Sequence, residues 1–243
     1  MGAGAGTQPP NGDQVSGLAG LAPVHPRTVH EEVYGALRGQ IMRGNFAPGE
    51  VLRLKTVADT LQVSTMPVRD AFARLVSERA LEAMPNRSVR IPPLDTARLE
   101  DLAATRSAVE ADALTRAIAH VGAGDIRELA SLTDRYDEAC RSGSEPPAVA
   151  ADLNHAFHTR LYGVSGSAVL PPIIESLWLQ SAPYLRAAAD LHDGDPADAT
   201  KHHRAIIAAL ETRNAEEAVA ALRRDIDLAF SIVRRAVQSE AAA

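Results

Sequence analysis

Residues 54–92 constrain the fold of this chain more than any other segment. Leu54, Val57 and Leu61 recur at helical spacing, so a short helix spans residues 54–61. Ser64 then suits the start of a further helix, since serine caps helix N-termini, and Pro67 suits its first turn, where an amide hydrogen has no partner. The inward residues of that helix, which is expected to continue to about residue 78, are Val68, Ala71, Phe72 and Leu75. A hairpin follows, with predicted strands at residues 81–84 and 88–91, so the segment predicts two helices around a tight turn and then a wing.

Apolar periodicity assigns the rest of the chain to helices. One helix is predicted over residues 28–43, before the central segment. Beyond residue 94 the predicted helices are 95–120, 125–142, 149–162, 169–191, 196–212 and 215–238. The chain is therefore predicted to be mainly α, with an N-terminal winged helix-turn-helix domain (27–93) and a C-terminal all-α bundle of about six helices (94–243). Residues 1–26, rich in Gly, Pro and Ala, are predicted to be a disordered tail.

The charge of the chain is divided between these two regions. Residues 27–93 contain 10 Lys and Arg against 7 Asp and Glu, whereas residues 94–243 contain 15 against 23. A basic module joined to an acidic one suggests a DNA contact near the N-terminus and a different task beyond it. The single Cys140 excludes a disulfide framework and fits a reducing compartment, no apolar run reaches membrane-spanning length, and no signal peptide is recognisable. The expected location is the cytoplasm, with no membrane partner.

The basic module has the layout of a reader of double-stranded DNA. In a helix-turn-helix the N-terminal residues of the second helix meet base edges, while neighbouring groups grip phosphates. Arg69 can place its two donors on a guanine, and the hairpin tip can contact the minor groove or the phosphates. The candidate DNA-binding residues are Lys55, Ser64, Thr65, Met66, Arg69, Asn86 and Arg87.

This region resembles the GntR family of winged-helix transcription regulators. The residues that carry the resemblance are Leu37-Arg38, the run from Gly44 to Gly49, the run from Val63 to Ala71, Arg74-Leu75 and the run from Asn86 to Val89. The resemblance implies that Lys55, Arg69 and the wing tip face an operator, together with the residues that begin the recognition helix. Two departures stand out: many relatives carry arginine where Thr65 stands, and relatives often have a glycine near Arg79-Ala80 and at Ser88.

The helical region resembles the FCD effector-binding domain of the FadR-like branch of this family. The supporting stretches are Arg106 to Glu110, Asn154 to His158 with Leu161-Tyr162, His203 to Leu210, and Leu222 to Ile226. The resemblance implies a homodimer that senses a small molecule, an organic or sugar acid, and usually acts as a repressor.

Many such domains hold a divalent metal with an Asp-x-x-x-His pair and two later histidines. The matching positions here are Asn154, His158, His203 and Asp225. Asn154 offers an amide oxygen in place of a carboxylate, and Asp225 replaces the last histidine. Two imidazoles, one carboxylate and one amide favour Zn²⁺, Ni²⁺ or Mn²⁺ over Ca²⁺. The alternative is a metal-free pocket lined by hydrogen-bonded polar residues, and the neighbouring His155 and His202 are expected at the surface.

Arg106 matches the inward arginine of the FCD domain, which suggests a bidentate partner for an effector carboxylate. The alternative is an internal ion pair with Glu110, one helical turn later. For the whole chain, two further hypotheses stand beside the regulator: a helical metallohydrolase using His158, His203 and Asp225, and a constitutive DNA-binding dimer whose helical domain senses nothing. The hydrolase lacks an identifiable general base and leaves the winged helix unexplained.

Overall fold

The computed structural model describes residues 29–142, 147–191 and 198–241, and within them nine α-helices and three short strands. The predicted tail over residues 1–26 lies outside the described residues. The N-terminal elements are α1 (Val29–Met42), β1 (Val51–Arg53), α2 (Leu54–Leu61), α3 (Thr65–Ser77), β2 (Glu82–Ala83) and β3 (Ser88–Arg90). Helix α2 has the predicted bounds, and α3 ends one residue before the predicted end.

The turn between α2 and α3 has two backbone features that set the direction of the second helix. Gln62 ends α2 in the left-handed conformation at φ 53°, and Ser64 takes the extended N-cap conformation before α3. The prediction of Ser64 as the N-cap residue is confirmed by position, although its hydroxyl makes no capping hydrogen bond. Pro67 lies in the first turn of α3 and is buried.

The wing is a three-stranded antiparallel sheet in the order β1-β3-β2. The predicted hairpin is confirmed in position, with shorter strands, and a 3₁₀ helix at Pro85–Arg87 forms its tip. Strand β1, which the sequence pattern missed, pairs with β3 so that Arg53 lies opposite Ser88. A three-residue strand with one buried residue carries too little alternation to be recognised.

The C-terminal region is a bundle of six helices, as predicted: α4 (Thr96–His120), α5 (Ala123–Ser142), α6 (Pro147–Gly163), α7 (Leu170–Leu191), α8 (Asp198–Glu211) and α9 (Ala215–Ala241). Asp95 caps α4 because its carboxylate accepts a hydrogen bond of 2.7 Å from the backbone amide of Arg98. No helix of the described residues is long and apolar enough to cross a membrane.

The described residues form two hydrophobic cores, and one of them crosses the predicted domain boundary at residue 93. The larger core lies inside the helical bundle around Leu114, Phe157 and Leu222. The smaller core joins the winged helix, and two residues of α7, Leu179 and Ala182, belong to it. The boundaries 27–93 and 94–243 stay a prediction, since the cores locate packing and not the limits of independent folding.

Polar contacts reinforce the packing of the winged helix on α6 and α7. Arg38 of α1 pairs with Glu175 at 3.3 Å, and Arg43 pairs with Asp152 at 3.0 Å. The guanidinium of Arg186 donates a 2.7 Å hydrogen bond to the carbonyl of Gly44. Gly44 is at φ +66°, and a Cβ there would lie 3.0 Å from the Cβ of Arg186, so a side chain would disrupt this approach.

A second joint connects α4 to the end of the recognition helix. Arg79 has φ 58°, in the left-handed region that favours glycine. Its carbonyl accepts a 2.8 Å hydrogen bond from the guanidinium of Arg98. The hydroxyl of Tyr184 in α7 donates to the carbonyl of Asp95 and accepts from its amide. The winged helix is thus held by both α4 and α7.

Candidate functional site

The N-terminal turn of α3 presents an exposed surface, which we call the recognition face. Ser64, Thr65, Met66 and Arg69 are all solvent-exposed there. Met66 is 56% exposed, unusual for a large apolar side chain. Because Val68, Ala71 and Phe72 on the opposite side of α3 are buried, the helix cannot turn these exposed residues inward. The structure therefore brings together the predicted residues of the recognition helix.

Lys55, Arg69 and Arg87 are exposed, and none of them has an ion pair or a hydrogen bond to its side chain within the described part of the chain. Other cations of the same module are engaged: Arg74, for example, pairs with Glu78 at 3.1 Å and stacks on Tyr34. Cations left without intramolecular partners are available to phosphates and base edges. Arg87 lies at the wing tip with φ 59°. Asn86 is in the 3₁₀ helix of the tip, and its side chain lies outside what the structure describes.

Arg53 shares these properties and was missed by sequence reasoning. It is exposed, occupies the N-cap position of α2 two residues before Lys55, and lies opposite Ser88, which adjoins the wing tip. No partner of its guanidinium is found among the described residues. The only available signal was strand β1, whose recognition would have placed Arg53 beside the wing.

A buried polar cluster formed by His158, His203 and Asp225 lies inside the helical bundle, on α6, α8 and α9. One ligand atom from each lies within 4.8 Å of the others. The Nε2 of His158 is 3.1 Å from Oδ2 of Asp225, and the Nε2 of His203 is 3.7 Å from Oδ1 of the same carboxylate. The three residues span 67 positions of the sequence, from His158 to Asp225, and still lie next to one another in the bundle. Asn154 lies one turn before His158 on α6 and is half-buried.

Helix α6 fixes the orientation of His158 through a neighbour one turn later. The Nδ1 of His158 is 3.0 Å from the hydroxyl of Tyr162. That hydroxyl donates to Glu110, whose other carboxylate oxygen accepts a 2.6 Å bond from Arg106. Because Nδ1 contacts Tyr162, Nε2 is the nitrogen that faces Asp225. Histidine ligands of metals are commonly oriented in this way, by a hydrogen bond to their other ring nitrogen.

His203 is the one member of the cluster with unmet hydrogen-bonding capacity. It is fully buried, its ring stacks on Phe157 at 3.8 Å, and neither ring nitrogen has a hydrogen-bond partner. Burial lowers the pKa of His203 to about 4, although Asp225 opposes that shift. Burial raises the pKa of Asp225, but the neighbouring histidines outweigh it and hold this pKa below its ordinary value. At neutral pH His203 is therefore a neutral imidazole and Asp225 a carboxylate.

This donor set fits a divalent transition metal. Neutral imidazoles and a carboxylate are the protein ligands of Zn²⁺ sites, and all three must be deprotonated before they can bind. An unpaired buried imidazole nitrogen costs free energy unless something binds it. The three residues therefore form a candidate metal site of His/Asp composition, with Asn154 adjacent on α6.

Arg106 is buried in an ion pair with Glu110, the internal alternative of the two considered. Its guanidinium also lies 4.2 Å from the centre of the Trp178 ring. A role of Arg106 toward an effector carboxylate stays a prediction. The surface position expected for His155 is wrong: the residue is half-buried, edge-on to Trp178 at 5.3 Å, and burial lowers its pKa. His202 is also only half-exposed. Trp178 of α7 packs against His155, a contact between helices that helical spacing alone could not show.

Both regions match known families. Residues 29–91 match the family described as bacterial regulatory proteins, gntR family, and residues 101–228 match the FCD domain. The FCD match by itself spans more than half of the chain.

Named relatives are similar over most of their length. The HTH-type transcriptional regulator McbR of Escherichia coli (strain K12) is 28% identical over 188 residues, which cover 76% of this chain and 83% of McbR. The solved structure of E. coli McbR/YncC has a TM-score of 0.78 at 25% identity, covering 87% of this chain and 99% of that one. The HTH-type transcriptional repressor GlaR of E. coli (strain K12) is 28% identical over 219 residues, covering 84% of this chain and 95% of GlaR.

Proposed function

The chain belongs to the GntR family of bacterial regulatory proteins with an FCD domain, and from that premise we propose that it is a repressor controlled by a metal-containing effector site. It is a ligand-responsive, DNA-binding transcription regulator and not an enzyme. The metallohydrolase hypothesis is thereby set aside. The proposal consists of four parts: that the protein represses transcription, that it holds a metal, that it is a homodimer, and that the residues named below have the roles given.

The recognition face of α3 enters the major groove in this proposal. Arg69 reads a guanine, while Ser64 and Thr65 contact phosphates beside the helix N-terminus. Lys55 at the start of α2 contacts the DNA backbone, with Arg53 beside it. Asn86 and Arg87 at the wing tip contact the minor groove or its phosphates. Two copies in a homodimer read the half-sites of a palindrome, as two-fold symmetry requires. We expect this to take place in the bacterial cytoplasm, at the operator.

The single observation that carries the effector site is the buried His203, which has two ring nitrogens without partners beside the carboxylate of Asp225. In the proposal His158, His203 and Asp225 hold a Zn²⁺, Ni²⁺ or Mn²⁺ ion, and Asn154 supplies a weaker oxygen ligand. A metal so bound would supply a positive centre to which an organic or sugar acid can attach its carboxylate. Arg106 would join that carboxylate only by exchanging its present partner, Glu110.

Metal content tests the site directly. Purified, dialysed protein is expected to carry about one transition metal per chain or to take up one on titration with zinc. His203→Ala is expected to abolish this uptake, while His202→Ala, its neighbour in sequence, is expected to keep it. Elemental analysis and calorimetric titration make the measurement. A wild-type protein that neither carries nor binds metal would favour the metal-free polar pocket.

Enrichment from a random-sequence duplex pool tests the DNA-binding half of the proposal. The full-length protein is expected to enrich duplexes with two inverted half-sites, and chemical footprinting is expected to show protection on both. Failure to enrich any sequence would contradict the recognition face. Enrichment of a single, non-repeated half-site would contradict the homodimer while leaving the recognition face intact.

A further inference from the structure

Trp178 lies between the buried cluster and the winged helix. Its ring centre is 5.0 Å from that of His158 and 5.3 Å from that of His155, and the guanidinium of Arg106 lies 4.2 Å from it. The side chain is only 5% exposed. It therefore packs against a candidate metal ligand and against the ion pair of α4 at the same time.

The residues next to Trp178 on α7 contact the other module. Leu179 and Ala182 belong to the core of the winged helix, with Leu37, Ile41 and the inward side of α3. One turn before, Glu175 pairs with Arg38 of α1. A single short stretch of α7 thus touches the cluster on one side and the DNA-binding module on the other.

A continuous series of contacts links Asp225 to Trp178. Asp225 pairs with His158, His158 contacts Tyr162, and the hydroxyl of Tyr162 donates to Glu110. Glu110 also accepts from Arg106, which stacks on Trp178, and His158 packs on the same ring directly. Because buried side chains are close-packed, a change in the position of His158 must be accommodated by its neighbours.

We propose that Trp178 is the positioning residue through which occupancy of the His158–His203–Asp225 cluster alters the placement of the winged helix. This inference rests on the proposed metal site and on the DNA-binding function. A cation held by the cluster would restrain His158, and Trp178, which packs on His158 and Arg106, would pass that restraint to the contacts of α7 with α1 at Leu179, Ala182 and Glu175.

Two other joints between the modules, at Arg98 and Tyr184, do not reach the buried cluster in the described part of the chain. Arg98 bonds to the carbonyl of Arg79, and Tyr184 bonds to the backbone of Asp95. In the contacts that the structure describes, neither side chain touches His158, His203 or Asp225. These joints hold the modules together, whereas Trp178 is in contact with the cluster itself.

Trp178 is the only tryptophan of the chain, so its fluorescence reports the relay without a label. The first experiment titrates zinc into the full-length, metal-free protein while recording emission and, in parallel, binding heat. The emission of Trp178 is expected to change and to saturate at the same zinc concentration as the heat. Zinc that binds without altering the emission would overturn the relay.

The second experiment measures how far zinc changes affinity for a duplex enriched by the wild-type protein. A change of at least about fivefold is expected for the wild type, the lower end of typical coupling between sites. Trp178→Ala is expected to reduce the ratio toward one while zinc still binds, and Trp178→Phe is expected to restore part of it. Gln180→Ala, a matched change two residues along α7, is expected to leave the wild-type ratio.

The outcomes separate the relay from the function on which it rests. A Trp178→Ala protein that binds zinc and DNA and keeps the full wild-type ratio overturns the relay alone. If the wild type binds no zinc, the proposed metal site fails and the relay is judged by Asp225→Asn, which changes the cluster without metal. That substitution is expected to alter both the emission of Trp178 and the duplex affinity, and an unchanged emission overturns the relay.

Discussion

The DNA-binding module and the helical bundle of this regulator differ in whether their charged side chains are exposed and unpaired or buried and paired. On the recognition face and wing, Lys55, Arg69 and Arg87 are exposed and have no partners among the described residues. In the helical bundle, Arg106 and Glu110 are buried and bonded to each other, and Asp225 is held by two histidines. The first arrangement is open to a large polyanion, whereas the charged groups of the second are shielded from solvent inside the bundle.

The difference shows how each region contributes to stability and to function. Exposed cations cost little in the free protein, because water solvates them, and they gain their partners when DNA binds. Buried charges cost free energy unless every one is paired, so a single lost partner is felt by the whole domain. The recognition face should therefore tolerate substitution without loss of stability, whereas loss of one partner of the buried Arg106–Glu110 pair should lower the free energy of unfolding.

Loss of the buried ion pair should give the largest effect. Glu110→Ala leaves the guanidinium of Arg106 buried without its carboxylate, and we expect it to lower the free energy of unfolding by about 3–5 kcal/mol. Asp112→Ala on the same helix is the matched control, since Asp112 and Arg116 form an exposed pair with the same spacing. That control should cost less than about 1 kcal/mol. Equal urea midpoints for the two variants would contradict the contrast.

Acid should destabilise the metal-free protein through His203. Burial lowers the pKa of His203 to about 4, so between pH 6.5 and 4 the unfolded chain binds a proton that the folded chain does not. The free energy of unfolding should therefore fall as pH falls through this window, by about 3 kcal/mol in the limit of a single uncoupled group. His203→Phe, which keeps a ring to stack on Phe157, should flatten this part of the profile. An unchanged profile in the variant would assign the acid sensitivity elsewhere.

A smaller effect is expected at the recognition face. Arg69→Ala should cost roughly 1–3 kcal/mol of specific DNA binding and relax the preference at one base pair, without changing the free energy of unfolding. Arg74→Ala, on the same helix but paired with Glu78, should leave specific affinity within experimental error. Titrations with an enriched duplex at one fixed salt concentration make the comparison. Similar losses for both arginines would remove Arg69 from base recognition.

The smallest effect is expected for Arg53 at the edge of the wing. Arg53→Ala should weaken DNA binding about equally across sequences and reduce the salt dependence of the binding constant by about one counterion. Arg90→Ala is the control, because Arg90 of the adjacent strand is already paired with Glu82 at 2.8 Å. A salt dependence that Arg53→Ala leaves unchanged would exclude the phosphate contact.

Much of the winged helix is predictable because its signals are local. The spacing of Leu54, Val57 and Leu61 defines α2, and Ser64 and Pro67 define the start of α3, all within fourteen residues. Strand β1 was missed because three residues carry almost no periodicity, and Arg53 was missed with it. The bundle also has the predicted helices, with ends that differ by a few residues.

The buried cluster was reached from the resemblance to FCD domains, since His158, His203 and Asp225 are far apart in sequence. Helical spacing predicted the Arg106–Glu110 ion pair as the alternative to an effector contact. It could not predict that both side chains are buried, which is why the loss of either should be costly. The contacts of Trp178 and the contribution of Leu179 and Ala182 to the winged-helix core depend on how three helices pack. Helix α7 contributes residues to both cores, across the predicted boundary at residue 93.

The measurement that tests the central claim most directly is the linkage between zinc and DNA in the full-length protein. Affinity for an enriched duplex is measured with saturating zinc and with chelator, and zinc affinity is measured with and without the duplex. Thermodynamic linkage requires the ratio of duplex affinities to equal the product of the changes in zinc affinity at the two sites of the dimer, and we expect a factor between about 5 and 150 in duplex affinity. Identical duplex affinities in zinc and in chelator, with zinc bound, would contradict an effector site that controls the recognition face.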